Sequence, residues 1–368
     1  MTRGEFIFGA MAAVGLSGCR WPGGPSDRSY GVAVLGDTHY DAEPESLYHS
    51  HYDESNRYAK VQHDEFRRNG EMWRTRCGRM LQASGRLAKC EPTDFVLQLG
   101  DLIQGDCDDV PTHQKMMADA IALMRGAYLE GLPFLTVLGN HDVRGKGARK
   151  AYLDFAEPYM TRELGLAAPA KYPVFSWRKG PDLWVFCDFE MRDLNPLLDA
   201  LVEVPRYTFL VTHGPFIPEE DSQPRWRLAG QPHHDALLPK LYELLSRRHA
   251  IILSGHSHQT VFARCRNAFG GFAELTFNSV WSSEDLATIA PEAESAADYG
   301  KYTESFGDAK RSAAFESGAK LFRPDLVDYF FSKAAGHSRL DISDAGVTAR
   351  FYGGAALEPT RTFRLSHF

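Results

Sequence analysis

Five short blocks of this chain carry the residues that bind metals. They are Asp37-Thr38-His39, Gly100-Asp101, Gly139-Asn140-His141-Asp142, His213 in Val211-Thr212-His213-Gly214-Pro215, and Gly255-His256-Ser257-His258. Each lies just behind an apolar run. The donors are carboxylate oxygen, amide oxygen and imidazole nitrogen, with no thiolate among them. That mixed set suits Mn, Fe or Zn better than Ca or a thiolate-bound Zn. Asp and Asn favour turns on their own account, so a single block says little. Five blocks at five strand ends point to a two-metal hydrolytic site. Cations about 3.5–4 Å apart form the recurrent clamp of phosphoryl-transfer chemistry.

The blocks need strands to bring them together. Strand-like apolar runs occur at 31–35, 95–99, 134–138, 183–186, 209–211, 251–253 and 275–277. Several are hydrophobic without alternation, as in sheets buried on both faces. Helical patterns occupy 63–87, 116–129, 196–202 and 236–246. The alternation implies an α/β fold of two face-to-face sheets flanked by helices. Ligands at the carboxyl ends of such strands converge on one sheet edge. Asp37 and His39 are two residues apart and share a side of an extended backbone. Two segments read as insertions, a polar one near 41–55 and an Ala/Glu/Ser-rich one near 282–333 of helix and loop. The tail reads as a hairpin, 338–342 and 347–352, turning at Asp344-Ala345-Gly346.

The 368 residues, with a net charge of −7, set further bounds. An acidic chain lacks the broad basic face that nucleic-acid binding needs. A small phosphorylated substrate is the expected partner. Of the six cysteines, Cys77 and Cys90 fall in one helical stretch, too far apart to bridge. Free thiols are expected. The first residues have a separate character. Arg3 precedes an apolar run, 6–16, which ends at Leu16-Ser17-Gly18-Cys19 before a Pro/Gly-rich stretch. That run is shorter than the roughly 20 residues of a membrane span and fits the core of an export signal. Its ending resembles a lipobox. The expectation is an export signal and linker over 1–29, Cys19 as a lipid anchor, a periplasmic or cell-envelope location, and a single domain over 30–368.

Taken in order, the five blocks resemble the metallophosphoesterase (calcineurin-like phosphoesterase) superfamily. The resemblance implies a four-layer αββα sandwich. It implies that Asp37, His39, Asp101 and His258 hold one metal, that Asp101, Asn140, His213 and His256 hold the second, and that Asp101 bridges. It implies hydrolysis of a phosphomonoester or phosphodiester by attack of a metal-bridging hydroxide. His141 would assist the leaving group, and Asp142 would hydrogen-bond His141 and favour its charged form. His39 and Gln104 depart from the purple acid phosphatase pattern. The blocks look more like the class III cyclic-nucleotide phosphodiesterases and their bacterial relatives. A non-catalytic metal-binding or interaction module on the same fold is the competing class.

Softer candidates surround the blocks. Arg144 could meet a substrate phosphate through its planar fork, and Tyr40 could line the site. His49, His51, His233, His234 and Asn278 are weaker substrate contacts, with surface or packing roles as the default. Trp226, Trp281 and Phe216 could form an aromatic wall, though packing explains them as well.

Overall fold

A computed structural model describes residues 28–42, 47–49, 59–219, 228–230, 232–301 and 309–366. The segment with Cys19, most of the 41–55 insertion, His51 and Trp226 lie outside the described residues.

Among the described residues two sheets form. β1 (Tyr30–Leu35), β2 (Phe95–Gln98) and β3 (Phe134–Thr136) run parallel and side by side. β11 (Gly336–Ser343) pairs antiparallel with β1. It is followed outward by β12 (Gly346–Gly353) and β13 (Arg361–Arg364). In the second sheet β5 (Asp182–Cys187), β6 (Thr208–Thr212), β7 (Ile251–Ser254) and β9 (Gly270–Thr276) are parallel. β4 (Val174–Lys179) edges one side, and β8 (Thr260–Asn267) and β10 (Leu326–Ser332) the other. Helices α1 (Ala59–Met72), α2 (Gly78–Cys90), α3 (Val110–Ala127) and α4 (Ala148–Glu163) belong to the first sheet's half. Helices α5 (Asn195–Ala200), α6 (Leu238–Arg247) and α7 (Ala309–Ala319) belong to the second's. The result is the expected αββα sandwich.

The unbroken apolar runs now have a reason. On β5, Trp184 and Phe186 join the core that the two sheets share. Leu183, Val185 and Cys187 join the core beneath α5, α6 and α7. β6 and β7 alternate likewise: Phe209, Val211, Ile251 and Leu253 face one core, Leu210 and Ile252 the other. Successive side chains point to opposite faces, and both faces are dry. Trp184 stacks on Phe209 at 4.0 Å and meets Phe95 of the opposite sheet edge-on at 5.1 Å. Each such fully buried side chain contributes about 1.5–3 kcal/mol of burial.

Helix α3 shows the other period. Asp109 caps it by accepting from Thr112 N at 2.8 Å, and Pro111 sits in its first turn. His113, Met116, Met117, Ala120, Ile121 and Met124 form its buried stripe. The stretch at 63–87 lies within α1 and α2, which a π-helical turn, Trp73–Cys77, joins without a break. One expectation needs correcting. The end of the 282–333 segment is not helix or loop but strand β10, paired with β8 from Leu326 to Ser332. β4, β8 and β13 were not among the strands expected from the sequence. The five described cysteines are free.

Candidate metal centre

Every block sits behind the carboxyl end of a parallel strand. Those of β1, β2 and β3 supply Asp37, His39, Asp101, Asn140 and His141, and those of β6 and β7 supply His213, His256 and His258. The two sheets therefore meet at one edge with their ligand loops facing. The loops are tightly bent. His39, Asp101, His256 and His258 all have positive φ (41°, 50°, 71° and 55°). Non-glycine residues rarely hold that region, and such strain clusters at functional sites. Glycines let the loops touch: a Cβ on Gly139 would run into Asp101 N and Oδ1, and one on Gly255 into Asp37 Oδ1.

One oxygen of each aspartate is fixed by backbone, and the other faces the cluster. Asp37 Oδ1 accepts from His256 N at 2.8 Å, and Asp101 Oδ1 from His141 N at 2.6 Å. Asp37 Oδ2 is buried without a well-aligned hydrogen bond. His258 Nε2 lies 3.1 Å from it and His39 Nε2 3.8 Å. Asp101 Oδ2 lies 3.6 Å from His39 Nε2 and 3.3 Å from His213 Nε2. His39 and His258 bring their Nε2 atoms within 2.9 Å of each other. Asn140 Oδ1 is 3.1 Å from His213 Nε2 and 2.8 Å from His256 Nδ1. The donors thus form two nests that share Asp101. Lone-pair atoms so close, with one buried carboxylate oxygen unsatisfied, fit two cations.

The far side of two of the imidazoles is held as well. His213 Nδ1–H donates to Leu99 O at 2.8 Å, and His39 Nδ1–H to Gln104 Oε1 at 3.2 Å. Such outer bonds fix the tautomer and turn Nε2 inward. Gln104 is itself held by Asn69 Nδ2, which donates to Oε1, and by Glu65 Oε2, which accepts from Nε2 at 3.1 Å. Trp73 Nε1 donates to Thr38 O at 3.0 Å, between two ligands. Ser279 Oγ accepts from Gly36 N at 2.9 Å. Glu274 accepts from Phe216 N, Ile217 N and Ser254 Oγ, bracing the His213 and His256 loops together. Glu65, Asn69, Trp73, Ser279 and Glu274 were missed by the sequence reading. No motif marks them, and they reach the site only through the fold.

Charge follows the geometry. Burial works against ionisation of Asp37 and Asp101, but His213 and neighbouring histidines overcome it and hold both below the ordinary carboxylate range. Burial also disfavours a charged His213, yet Asp101 and Asp37 raise it to about 10. His39 is raised too, against burial, by Asp37 and Asp101. With protons alone to balance them, the two carboxylates hold a proton on His213 and draw His39 in the same direction. His256 is pushed down to about 3 by burial and by His213.

Three sites differ from the sequence expectation. Asp142 does not bond the His141 ring. Its oxygens accept from Ile103 N at 3.2 Å and Gly139 N at 2.9 Å, so it pins the β2 and β3 loops together. His141 Nδ1–H instead donates to Gln104 O at 2.9 Å. Burial, first of all, keeps His141 neutral, down to about 3 despite Asp101. Burial and Asp101 raise Asp142 to about 7 against its two backbone donors. Arg144 does not present a free fork: Nη2 pairs with Glu65 at 2.6 Å and Nε with Asp106. Tyr40 packs edge-on against Trp73 at 5.6 Å, its hydroxyl 3.5 Å from that of Tyr48. Of the weaker candidates, His234 bonds the carbonyls of Leu228 and Met191, and Asn278 those of Lys333 and Ala334. Phe216 and Trp281 are buried.

Comparisons with known proteins bear on the fold and the family. A search of curated proteins finds no match to the chain. Among solved structures, PhoD is similar at 12% identity and a TM-score of 0.51, over 92% of this chain and 70% of that one. GAP50, the anchor in the inner membrane complex of Plasmodium, is 16% identical at a TM-score of 0.49, over 92% and 89%. A dimetal phosphatase from Danio rerio is 12% identical at 0.48, over 92% and 99%. The PhoD likeness extends to the fold. The profile of the calcineurin-like phosphoesterases matches residues 30–260, more than half of the chain. The chain belongs to the calcineurin-like phosphoesterase family.

Proposed function

We propose that this chain hydrolyses phosphomonoesters or phosphodiesters at a site that takes two transition-metal cations. The observation that carries the reading is Asp101 Oδ2, within 3.6 Å of one histidine nest and 3.3 Å of the other. Asp37, His39, Asp101 and His258 would hold one cation, and Asp101, Asn140, His213 and His256 the second. Cations there would lower the pKa of a water, orient the phosphate and neutralise charge on its oxygens. The chain's own part falls to His141. With Nδ1–H committed to Gln104 O, its Nε2, 3.3 Å from Arg144 Nη1, is the nitrogen left to meet the ester. It holds the phosphate or passes a proton to the departing alcohol. Asp142 and Gln104 keep that loop in place.

The test is a chromogenic mono- and diester assay on chelated protein reloaded with Mn²⁺, with metal analysis alongside. Turnover that requires metal supports the reading. Two bound cations per chain without turnover of any ester would favour the non-catalytic module.

We infer export and a lipid anchor at Cys19, supported by the apolar run and the Leu16-Ser17-Gly18-Cys19 ending. Among the described residues no helix is long and apolar enough to cross a membrane. Globomycin-sensitive processing and its loss in Cys19→Ala would test the anchor.

A further inference from the structure

Beside His141 stands a small charged wall that the reaction outlined above does not use. Arg144 Nη1 lies 3.3 Å from both ring nitrogens of His141. Equal distance to both, without collision with the carbon between them, puts the guanidinium over the ring face. The rest of its fork is taken. Nη2 donates to Glu65 Oε2 at 2.6 Å, and Nε pairs with Asp106. The same Glu65 oxygen accepts from Gln104 Nε2 at 3.1 Å, and Gln104 holds His39. Glu65 comes from α1, Asp106 from the loop before α3, and Arg144 from the loop before α4.

The wall holds two carboxylates against one guanidinium, so a negative charge is in excess. Its members are open to a bound molecule: the side chains of Arg144, Glu65 and Asp106 are 26%, 24% and 12% exposed. A phosphate in the cradle next to His141 would put one ester substituent against this wall. Further negative charge on that substituent would meet the excess carboxylate, while Arg144 already pairs with Glu65 through Nη2 and with Asp106 through Nε. Two divalent cations would be balanced by Asp37, Asp101 and a phosphate dianion, leaving no surplus to offset the wall.

We propose that this wall selects phosphoesters whose leaving group is neutral or cationic, and disfavours leaving groups with further negative charge, such as nucleoside polyphosphates and phosphorylated acids. Glu65 is the residue that sets the selection. The inference rests on the phosphoesterase reading.

Binding of phosphonates that cannot turn over tests it. Calorimetry on the Mn²⁺-loaded protein would compare butylphosphonate, 3-carboxypropylphosphonate and 3-(trimethylammonio)propylphosphonate. The anionic tail is expected to bind about fivefold more weakly than the neutral one at low salt, with the gap shrinking near 1 M salt. Glu65→Gln keeps an acceptor for Arg144 and removes the charge, so it should narrow the gap. Equal or tighter binding of the anionic tail by the unaltered protein would overturn the proposal, whatever the fate of the variant. Phosphate release from butyl phosphate separates the two readings. Release without tail discrimination overturns only the wall, and no release from any ester overturns both.

Discussion

Asp101 Oδ2 lies 3.3 Å from His213 Nε2 while its partner oxygen accepts from His141 N. The carboxylate is thus held by the third block and aimed at the fourth, and His39 of the first block is 3.6 Å from the same oxygen. Asp101→Asn removes the one charge common to both nests. Metal content is expected to fall from two cations per chain to fewer than one. Activity should drop by at least about 10³-fold, since each cation supplies several kcal/mol of charge stabilisation. Two cations retained in the variant, measured by mass spectrometry of the desalted protein, would contradict the shared position.

The proton on His213 makes metal binding pH-dependent. A His213 raised to about 10 still carries its proton at neutral pH, and a cation must expel it. His39, raised as well, acts in the same sense. His256, lowered to about 3, is already neutral and releases nothing. The sign is therefore fixed: affinity rises with pH, about tenfold per unit for each proton expelled, and levels off as pH passes the folded value of His213. Calorimetry at pH 7.5 in buffers of different ionisation enthalpy should count at least about one proton released per chain. A count of zero would remove the charge balance described for Asp37 and Asp101.

The candidate ligands were legible because they stand in short blocks, each announced by the apolar strand before it. Strands β5, β6 and β7 were legible because both faces are buried, which leaves no polar interruption to hide them. The supports of the site were not. Glu65 and Asn69 look like solvated helix residues, and only the approach of α1 turns them toward Gln104. Glu274 alternates with apolar neighbours and gives no sign that it braces two loops. The role of Asp142 was misread for a related reason. The family resemblance implied a bond to His141, whereas the turn sends the Asp142 carboxylate to Ile103 N and Gly139 N and the His141 ring to Gln104 O.

That corrected role makes its own prediction. Asp142→Ala strips Ile103 N and Gly139 N of their acceptor. Each unsatisfied buried donor costs about 1–3 kcal/mol. The variant should lose about 2–4 kcal/mol of stability in urea titrations and bind the cation at Asn140 more weakly. A carboxylate that acted on the His141 ring would behave differently, lowering kcat with stability and metal content intact. The two outcomes are read from the same preparation.

His141 can serve as proton donor or as phosphate holder, and the leaving group separates these. A proton donor matters most when the departing alcohol is a strong base. His141→Ala should then lower kcat by about 10²–10⁴ on alkyl phosphates and by less than about tenfold on p-nitrophenyl phosphate, whose phenolate departs unaided. Both cations should stay, and loss of one in the variant would instead make the ring a ligand beside His39 and Asp101. The neutral state of the ring, down to about 3 under burial, does not prevent the donor role. A phosphate dianion beside Nε2 favours the charged imidazole, so the ring would take up a proton from solvent as the substrate binds. Equal losses on the alkyl and aryl esters would instead assign His141 to holding the phosphate.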